Sequence, residues 1–266
     1  MKLPPVVLSI AGSDNSCGAG LQADLKTITA LGGYAQTAVT CVVAEVPGLV
    51  SAIQPVRPEI VAEQVRLSFK AFPVAAIKTG MLYSTAIIRA VAGVLNEIRA
   101  RPPFVVDPVM VASSGDPLLK KSAIAAYEAL LFPMATLVTP NLDELRILSG
   151  RPCRNLAEMR SAGAELVARF GCAFLLKGGH LGTRNAVDIL ATPDGFRQFS
   201  APFRKRIDTH GTGCTFSSAI ATGLAHGLSL EDSVTQGKAY ITAAIRNAYQ
   251  WGPAAALNHQ GFSGAD

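Results

Sequence analysis

The chain reads as an α/β protein built on a parallel sheet covered on both faces. Three observations carry that reading. Short apolar runs alternate with longer stretches of helical periodicity, and each run is bounded by polar, Gly or Pro residues. The runs are mostly apolar rather than alternating, as strands buried on both faces are. With 266 residues, 49% hydrophobic and 16% charged, the chain can bury a large core.

In chain order the strand signals are Val6 to Ile10, Val74 to Ile77, Phe104 to Val106, Ala135 to Val138 and Phe174 to Leu176. Helical patterns occupy roughly 19–31, 58–71, 84–100, 120–131, 141–149 and 155–170. Segment 184–201 differs: two strand-like runs flank Thr192-Pro193-Asp194-Gly195, a hairpin-turn sequence. Helices return at about 213–226 and 230–249. There is no internal repeat and no low-complexity tract, so one domain over 1–266 is expected.

Charge and cysteine usage narrow the function. The formal charge is +5, yet Lys and Arg are scattered and only 6% of residues are aromatic, which argues against nucleic acid and suits a small anionic substrate. Five cysteines at 17, 41, 153, 172 and 214 form no CxxC pair, as in a reducing cytoplasm. No apolar run has the length of a signal core or a membrane span, and a soluble, cytoplasmic protein is expected.

Parallel sheets bind ligands beyond the carboxyl ends of their strands. Here those ends are Ala11-Gly12-Ser13-Asp14, Lys78-Thr79-Gly80-Met81, Asp107-Pro108-Val109-Met110, Thr139-Pro140-Asn141-Leu142-Asp143-Glu144 and Lys177-Gly178-Gly179-His180. All five are expected on one rim. The most informative stretch is Asp208-Thr209-His210-Gly211-Thr212-Gly213-Cys214, which opens an uncharged helical run. Gly211 and Gly213 permit angles closed to other residues, and the N–H groups of a helix start have no partner within the helix. The result is a cradle for a phosphate or a developing anion.

Further side chains suit phosphate chemistry. Asn141 and Glu144, three apart at a helix start, share a face and offer hard oxygens for Mg²⁺, or alternatively form a helix cap. Asp107, ending a buried strand, is a second metal candidate. Lys177 leaves a buried strand ahead of two glycines, well placed to hold a nucleotide phosphate. His180 is expected to cap its loop. Cys214, at a helix start, has a setting that lowers a thiol's pKa and supports thiolate chemistry. HExxH, GxSxG and GxxxxGK[ST] motifs are absent from the sequence, which removes support for zinc-protease, α/β-hydrolase and P-loop readings.

Together these motifs resemble the ribokinase-like superfamily, and within it the hydroxymethylpyrimidine and phosphomethylpyrimidine kinases of thiamine biosynthesis. The run Gly18-Ala19-Gly20-Leu21-Gln22-Ala23-Asp24-Leu25-Lys26-Thr27 and the cysteine of His210-Gly211-Thr212-Gly213-Cys214 are its most specific parts. The resemblance implies a three-layer α/β/α sandwich with a mostly parallel sheet, ATP and Mg²⁺ as cofactors, and a homodimer. It implies pyrimidine contacts at Gly12, Asp24, Glu45, Met81 and Val109, and ATP contacts at Asn141, Lys177, Thr209 and Lys238. Metal would lie at Asp107 and Glu144. An anion hole would span Gly211, Thr212 and Gly213, with Cys214 as the base.

The chain departs from the family pattern twice. Cys17-Gly18 stands where Gly-Gly is common, and Val46-Pro47-Gly48 follows Glu45 where Asn-Thr is common. The second change alters a loop at the acceptor end and bears on whether the free alcohol is accepted. A phosphomethylpyrimidine-only kinase, a vitamin B6 kinase and a non-catalytic ligand-binding regulator are the rivals. Loss of Asn141, Glu144, Gly211 or Gly213 would favour the regulator, and all four are present.

Overall fold

The computed structural model describes residues 3–110, 121–179, 181, 184–203, 210–252 and 254–260. Its elements run β1 (Val6–Asp14), α1 (Gly20–Ala30), β2 (Tyr34–Val46), β3 (Leu49–Pro55), α2 (Pro58–Ala71), β4 (Val74–Thr79), α3 (Thr85–Glu97) and β5 (Phe104–Val106). Then follow α4 (Lys121–Ala126), β6 (Leu137–Val138), α5 (Leu142–Ser149), α6 (Leu156–Phe170), β7 (Ala173–Lys177), β8 (Asn185–Thr192) and β9 (Gly195–Pro202). The chain ends with α7 (Thr212–Ala225), α8 (Leu230–Arg246) and a small hairpin, β10 (Tyr249–Trp251) and β11 (Ala254–Ala256).

Nine strands form one sheet in the order β3-β2-β1-β4-β5-β6-β7-β8-β9. Neighbours from β2 to β7 are parallel, whereas β3, β8 and β9 join antiparallel. Two separate cores cover the faces. One gathers Val61, Val91, Leu145 and Leu166 from α2, α3, α5 and α6; the other gathers Ile28, Ile220 and Ile241 from α1, α7 and α8. This is the expected three-layer sandwich with a mostly parallel sheet.

Local sequence explains where the helices begin and end. Ser84 caps α3 by accepting from Ile87 N–H, Asn155 caps α6 and Ser229 caps α8. Gly150 and Gly171 stop α5 and α6 in the left-handed conformation. The helix expected at 120–131 is helical only as α4, continues as a π turn over Tyr127–Leu131, and closes as a 3₁₀ turn at Pro133. The strand expected at 135–138 is reduced to two residues.

Strands β2 and β3 were not expected. The Val- and Thr-rich stretch before Pro47-Gly48 is their signal, and Gly48 at φ +81 makes the tight turn between them. What the sequence suggested as a loop after Glu45 is therefore the tip of a hairpin. The chain leaves β1 into α1 on one face and β4 into α3 on the other. This opens the sheet between them, where ligands of open α/β sheets bind.

Candidate active site

A cavity of about 380 Å³ runs along the carboxyl ends of the central strands. All five expected strand ends reach it: Gly12 and Asp14 at the end of β1, Met81 after β4, Asp107 and Val109 after β5, Asn141 after β6, and Lys177 ending β7 with Gly179 beyond it. The β2–β3 hairpin adds Val43, Glu45, Val50 and Ile53 at one end. The other end is apolar, walled by Ala201, Pro202 and Phe203 with Ile241 and Ile245 of α8. Gly211, Thr212, Gly213 and Cys214 lie along the cavity with Lys238.

The two glycines of the α7 start do different work. Gly211 is the N-cap at φ +82, and a β-carbon there would overlap the Gly18 carbonyl. Gly213 has no such backbone requirement. Its missing β-carbon leaves room beside Lys177 Nζ at 3.2 Å and Asp107 Oδ2 at 3.4 Å. So α7 is pressed on the 18–20 turn at one glycine and opens onto the charged cleft at the other. The first helical bond runs from Thr215 N–H to Gly211 C=O, so the positive end of the α7 dipole lies at the cleft that Gly211 to Cys214 line.

A charged cluster sits opposite. Lys177 Nζ donates to Asp107 Oδ1 at 3.0 Å, and Asp107 also accepts from Thr139 Oγ1 and Ser217 Oγ. The lysine thus reaches into the cleft and does not snorkel to the surface. Asn141 and Glu144 form a full capping box: Asn141 Oδ1 accepts from Asp143 and Glu144 N–H, and Glu144 accepts from Asn141 N–H at 2.8 Å. The other Glu144 oxygen accepts from Met110 N–H at 3.0 Å. Burial pushes the Glu144 carboxyl up to about 7, with Asp107 adding to the rise and Lys177 opposing it.

Two expectations need correction. Asp24, expected against the pyrimidine, lies wholly buried beneath the cleft. Both of its oxygens accept from Lys78 Nζ, at 2.9 and 2.8 Å, and it also accepts from Ser9 and Ser218 hydroxyls. Four hydrogen bonds from three donors, with full burial, leave no face toward a ligand. The pair instead ties α1, β4 and α7 together under the site. The second correction concerns Cys214, whose thiol was expected to be acidified. Burial pushes it up to about 12, although Lys78 and the Gly20 N–H both favour the thiolate. Desolvation outweighs the helix start. Thr209 and His180 lie outside the described residues.

Sequence reasoning passed over two carboxylate pairings in the cleft. Asp14 accepts from Ser16 and Ala19 N–H and from His210 Nε2 at 3.2 Å, and these contacts hold its carboxyl far below the usual range. Glu45 approaches the same group, and its carboxyl is raised by burial and by Asp14. Asp14 and His210 both stood inside the quoted motifs, but 196 residues separate them and no spacing rule joins them. Asp188 and Lys238 make the second unseen pair, at 2.6 Å.

A mostly parallel α/β/α sandwich, with a glycine helix start facing lysine and carboxylates at its strand ends, defines a small-molecule kinase of ribokinase-like architecture. Comparison with known proteins identifies the branch. Residues 14–258 match the family model described as phosphomethylpyrimidine kinase, and the chain belongs to that family.

A thiamine biosynthesis bifunctional protein ThiED of Geobacter sulfurreducens is 46% identical over 246 residues, covering 92% of this chain and 50% of that protein. The chain therefore spans about half of that relative's length. A hydroxymethylpyrimidine/phosphomethylpyrimidine kinase of Rhizobium meliloti is 43% identical, covering 90% of each chain. Among solved structures, a Bacillus subtilis pyridoxal kinase in an ADP complex superposes with a TM-score of 0.90 at 32% identity, covering 97% of this chain and 98% of that one. The Clostridium difficile phosphomethylpyrimidine kinase gives a TM-score of 0.81 at 36% identity, covering 91% and 99%. Among the described residues, no helix is long and apolar enough to cross a membrane.

Proposed function

We propose that this protein transfers the γ-phosphoryl group of ATP to hydroxymethylpyrimidine, to its monophosphate, or to both, in thiamine biosynthesis. The observation that carries the reading is the α7 start, set between two unlike ends of one cleft. At one end Gly12, Val43, Glu45, Met81 and Val109 suit a small flat heterocycle with polar edges. At the other, Lys177 and Lys238 suit phosphates, and the apolar wall of Phe203, Ile241 and Ile245 suits a nucleobase. Gly211 to Gly213 lie between, where the transferring phosphoryl group would pass.

The chemistry is then positioning and charge stabilisation. Lys177 and the α7 amides neutralise charge on the moving phosphoryl group. Asn141, beside Lys177 across a β-bridge, borders the phosphates. Asp107 and Glu144 are buried hard-oxygen donors, and Asp107 adds to the rise of the Glu144 carboxyl, a donor set that fits Mg²⁺. When bound, the ion would neutralise phosphate charge. Cys214 can serve as a base for the neutral alcohol only as its thiolate, the form that Lys78 and the Gly20 N–H favour against burial, while the monophosphate brings its own anionic oxygen.

The same reading places the protein in the cytoplasm as a single domain over 1–266. It also makes it a homodimer, supported by exposed Val42, Val46, Leu49 and Val50 on the β2–β3 hairpin. Pyridoxal phosphorylation is the second reading, favoured by the TM-score of 0.90 to a pyridoxal kinase. Steady-state turnover of ATP and Mg²⁺ with the alcohol, the monophosphate and pyridoxal decides between them. We expect a pyrimidine to have the highest kcat/KM. A preference for pyridoxal would overturn the reading, as would ATP turnover indifferent to acceptor.

A further inference from the structure

We propose that Asp188 is a positioning residue for the nucleotide, aiming one lysine and locking the turn that carries the other. It lies on β8 directly opposite Lys177 of β7 in an antiparallel pair, so both side chains leave the same face of the sheet toward the cleft. The two do not pair with each other. Lys177 turns to Asp107 at 3.0 Å, while Asp188 takes Lys238 of α8 at 2.6 Å. Two lysine–carboxylate pairs therefore stand side by side on the phosphate wall.

Asp188 uses its oxygens separately. Oδ2 accepts from Lys238 Nζ, which also donates to the Ala186 carbonyl at 3.0 Å. Two acceptors on one strand hold the ammonium in one place at the mouth of the cleft. Oδ1 accepts from Gly178 N–H at 3.1 Å. Gly178 follows Lys177, and a β-carbon on it would run into the Val187 carbonyl of β8. The turn after Lys177 is thus seated against β8 by close packing and by one charge-assisted bond.

A buried carboxylate is costly to keep ionised. Only 3% of Asp188 is exposed, burial pushes its carboxyl up, and Lys238 is the main opposing influence. A pair that only braced β8 against α8 would be served as well by apolar side chains. This one leaves Lys238 in the cavity lining, where a nucleoside triphosphate can share it.

The inference rests on the kinase reading above, and the test separates the two. Asp188→Asn keeps the shape and an oxygen for Gly178 N–H but removes the charge facing Lys238. Asp188→Ala removes both contacts, and Lys238→Met removes the aimed group. Binding of AMP-PCP with Mg²⁺ is measured by calorimetry, and KM for ATP and for the acceptor is measured alongside. Thermal melting identifies any variant that fails to fold. We expect Asp188→Asn to weaken AMP-PCP binding and raise KM for ATP about tenfold, the scale of one charge-assisted contact, with acceptor KM unchanged. Asp188→Asn combined with Lys238→Met should be no worse than Lys238→Met alone. Asp188→Ala should lower kcat as well, because the Lys177 turn is released.

Wild-type protein that binds no AMP-PCP would overturn the kinase reading itself. Wild-type affinity for AMP-PCP in a folded Asp188→Asn variant would overturn the inference. So would additive losses in the double variant, or equal increases in both KM values.

Discussion

Replacing Gly211 by alanine tests the cradle most directly. The residue sits at φ +82, where an L side chain costs roughly 1–2 kcal/mol. The new β-carbon would overlap the Gly18 oxygen, stand 2.7 Å from the Gly18 carbonyl carbon and 3.2 Å from Ala19 Cα. Carbon atoms prefer about 3.5–4.0 Å, so the α7 start must retreat by about 1 Å, and all its neighbours here are backbone. Overpacking of this kind adds roughly 1–3 kcal/mol. The sum, about 2–5 kcal/mol, predicts a Tm lower by roughly 5–15 °C for a chain of this length. A 1 Å misplacement at a reacting centre costs about 10²-fold, and both acceptors should lose equally because they share the phosphoryl group. Gly213→Ala is the control: it needs no unusual φ and meets only Lys177 Nζ and Asp107 Oδ2, at 3.2 and 3.4 Å. That variant should melt near wild type and lose activity through crowding of the charged cleft. Scanning calorimetry with kcat for each acceptor reads both variants. A Gly211→Ala protein with wild-type Tm and kcat would refute the reasoning.

Three further outcomes are expected. Cys214→Ser should slow the alcohol by about 10²-fold and the monophosphate several-fold less, if Cys214 takes the alcohol's proton; equal losses in steady-state kcat would make it a structural residue. His259 is 4% exposed and bonded to Thr215 Oγ1, and burial, aided by Lys26, lowers its pKa to about 4. Its neutral form is favoured by folding, so its contribution is complete above the ordinary value of 6.5 and is lost as pH falls from 6.5 toward 4. Urea unfolding should show wild type losing about 2 kcal/mol more than His259→Gln between pH 7 and pH 5, and identical slopes would exclude this site. Cys17 occupies φ +59 where the family often has glycine, so Cys17→Gly should raise stability by roughly 0.5–1 kcal/mol, measured as Tm; a fall in Tm would show that the side chain matters.

Much of the architecture and the rim of the cleft was legible in the chain. Apolar runs marked β1, β4, β5 and β7, and the residues following them do converge. That convergence follows from parallel strands alone, since parallel strands end on one edge. Gly211 was legible because a glycine pair at a helix start marks a left-handed cap, which Gly211 adopts at φ +82. The tertiary structure decided what depends on burial and on distant partners. Asp24 reads like any helix carboxylate, yet Lys78, 54 residues away, takes it beneath the site. Cys214 stands where a helix would acidify it, but desolvation, a property of packing, overrides the dipole. Gly213 looks like Gly211 in the chain, but only Gly211 has the left-handed backbone against Gly18, whereas Gly213 faces Lys177 and Asp107. The pairs Asp14–His210 and Asp188–Lys238 join residues 196 and 50 positions apart, and local patterns cannot express contacts that only the closed sheet creates.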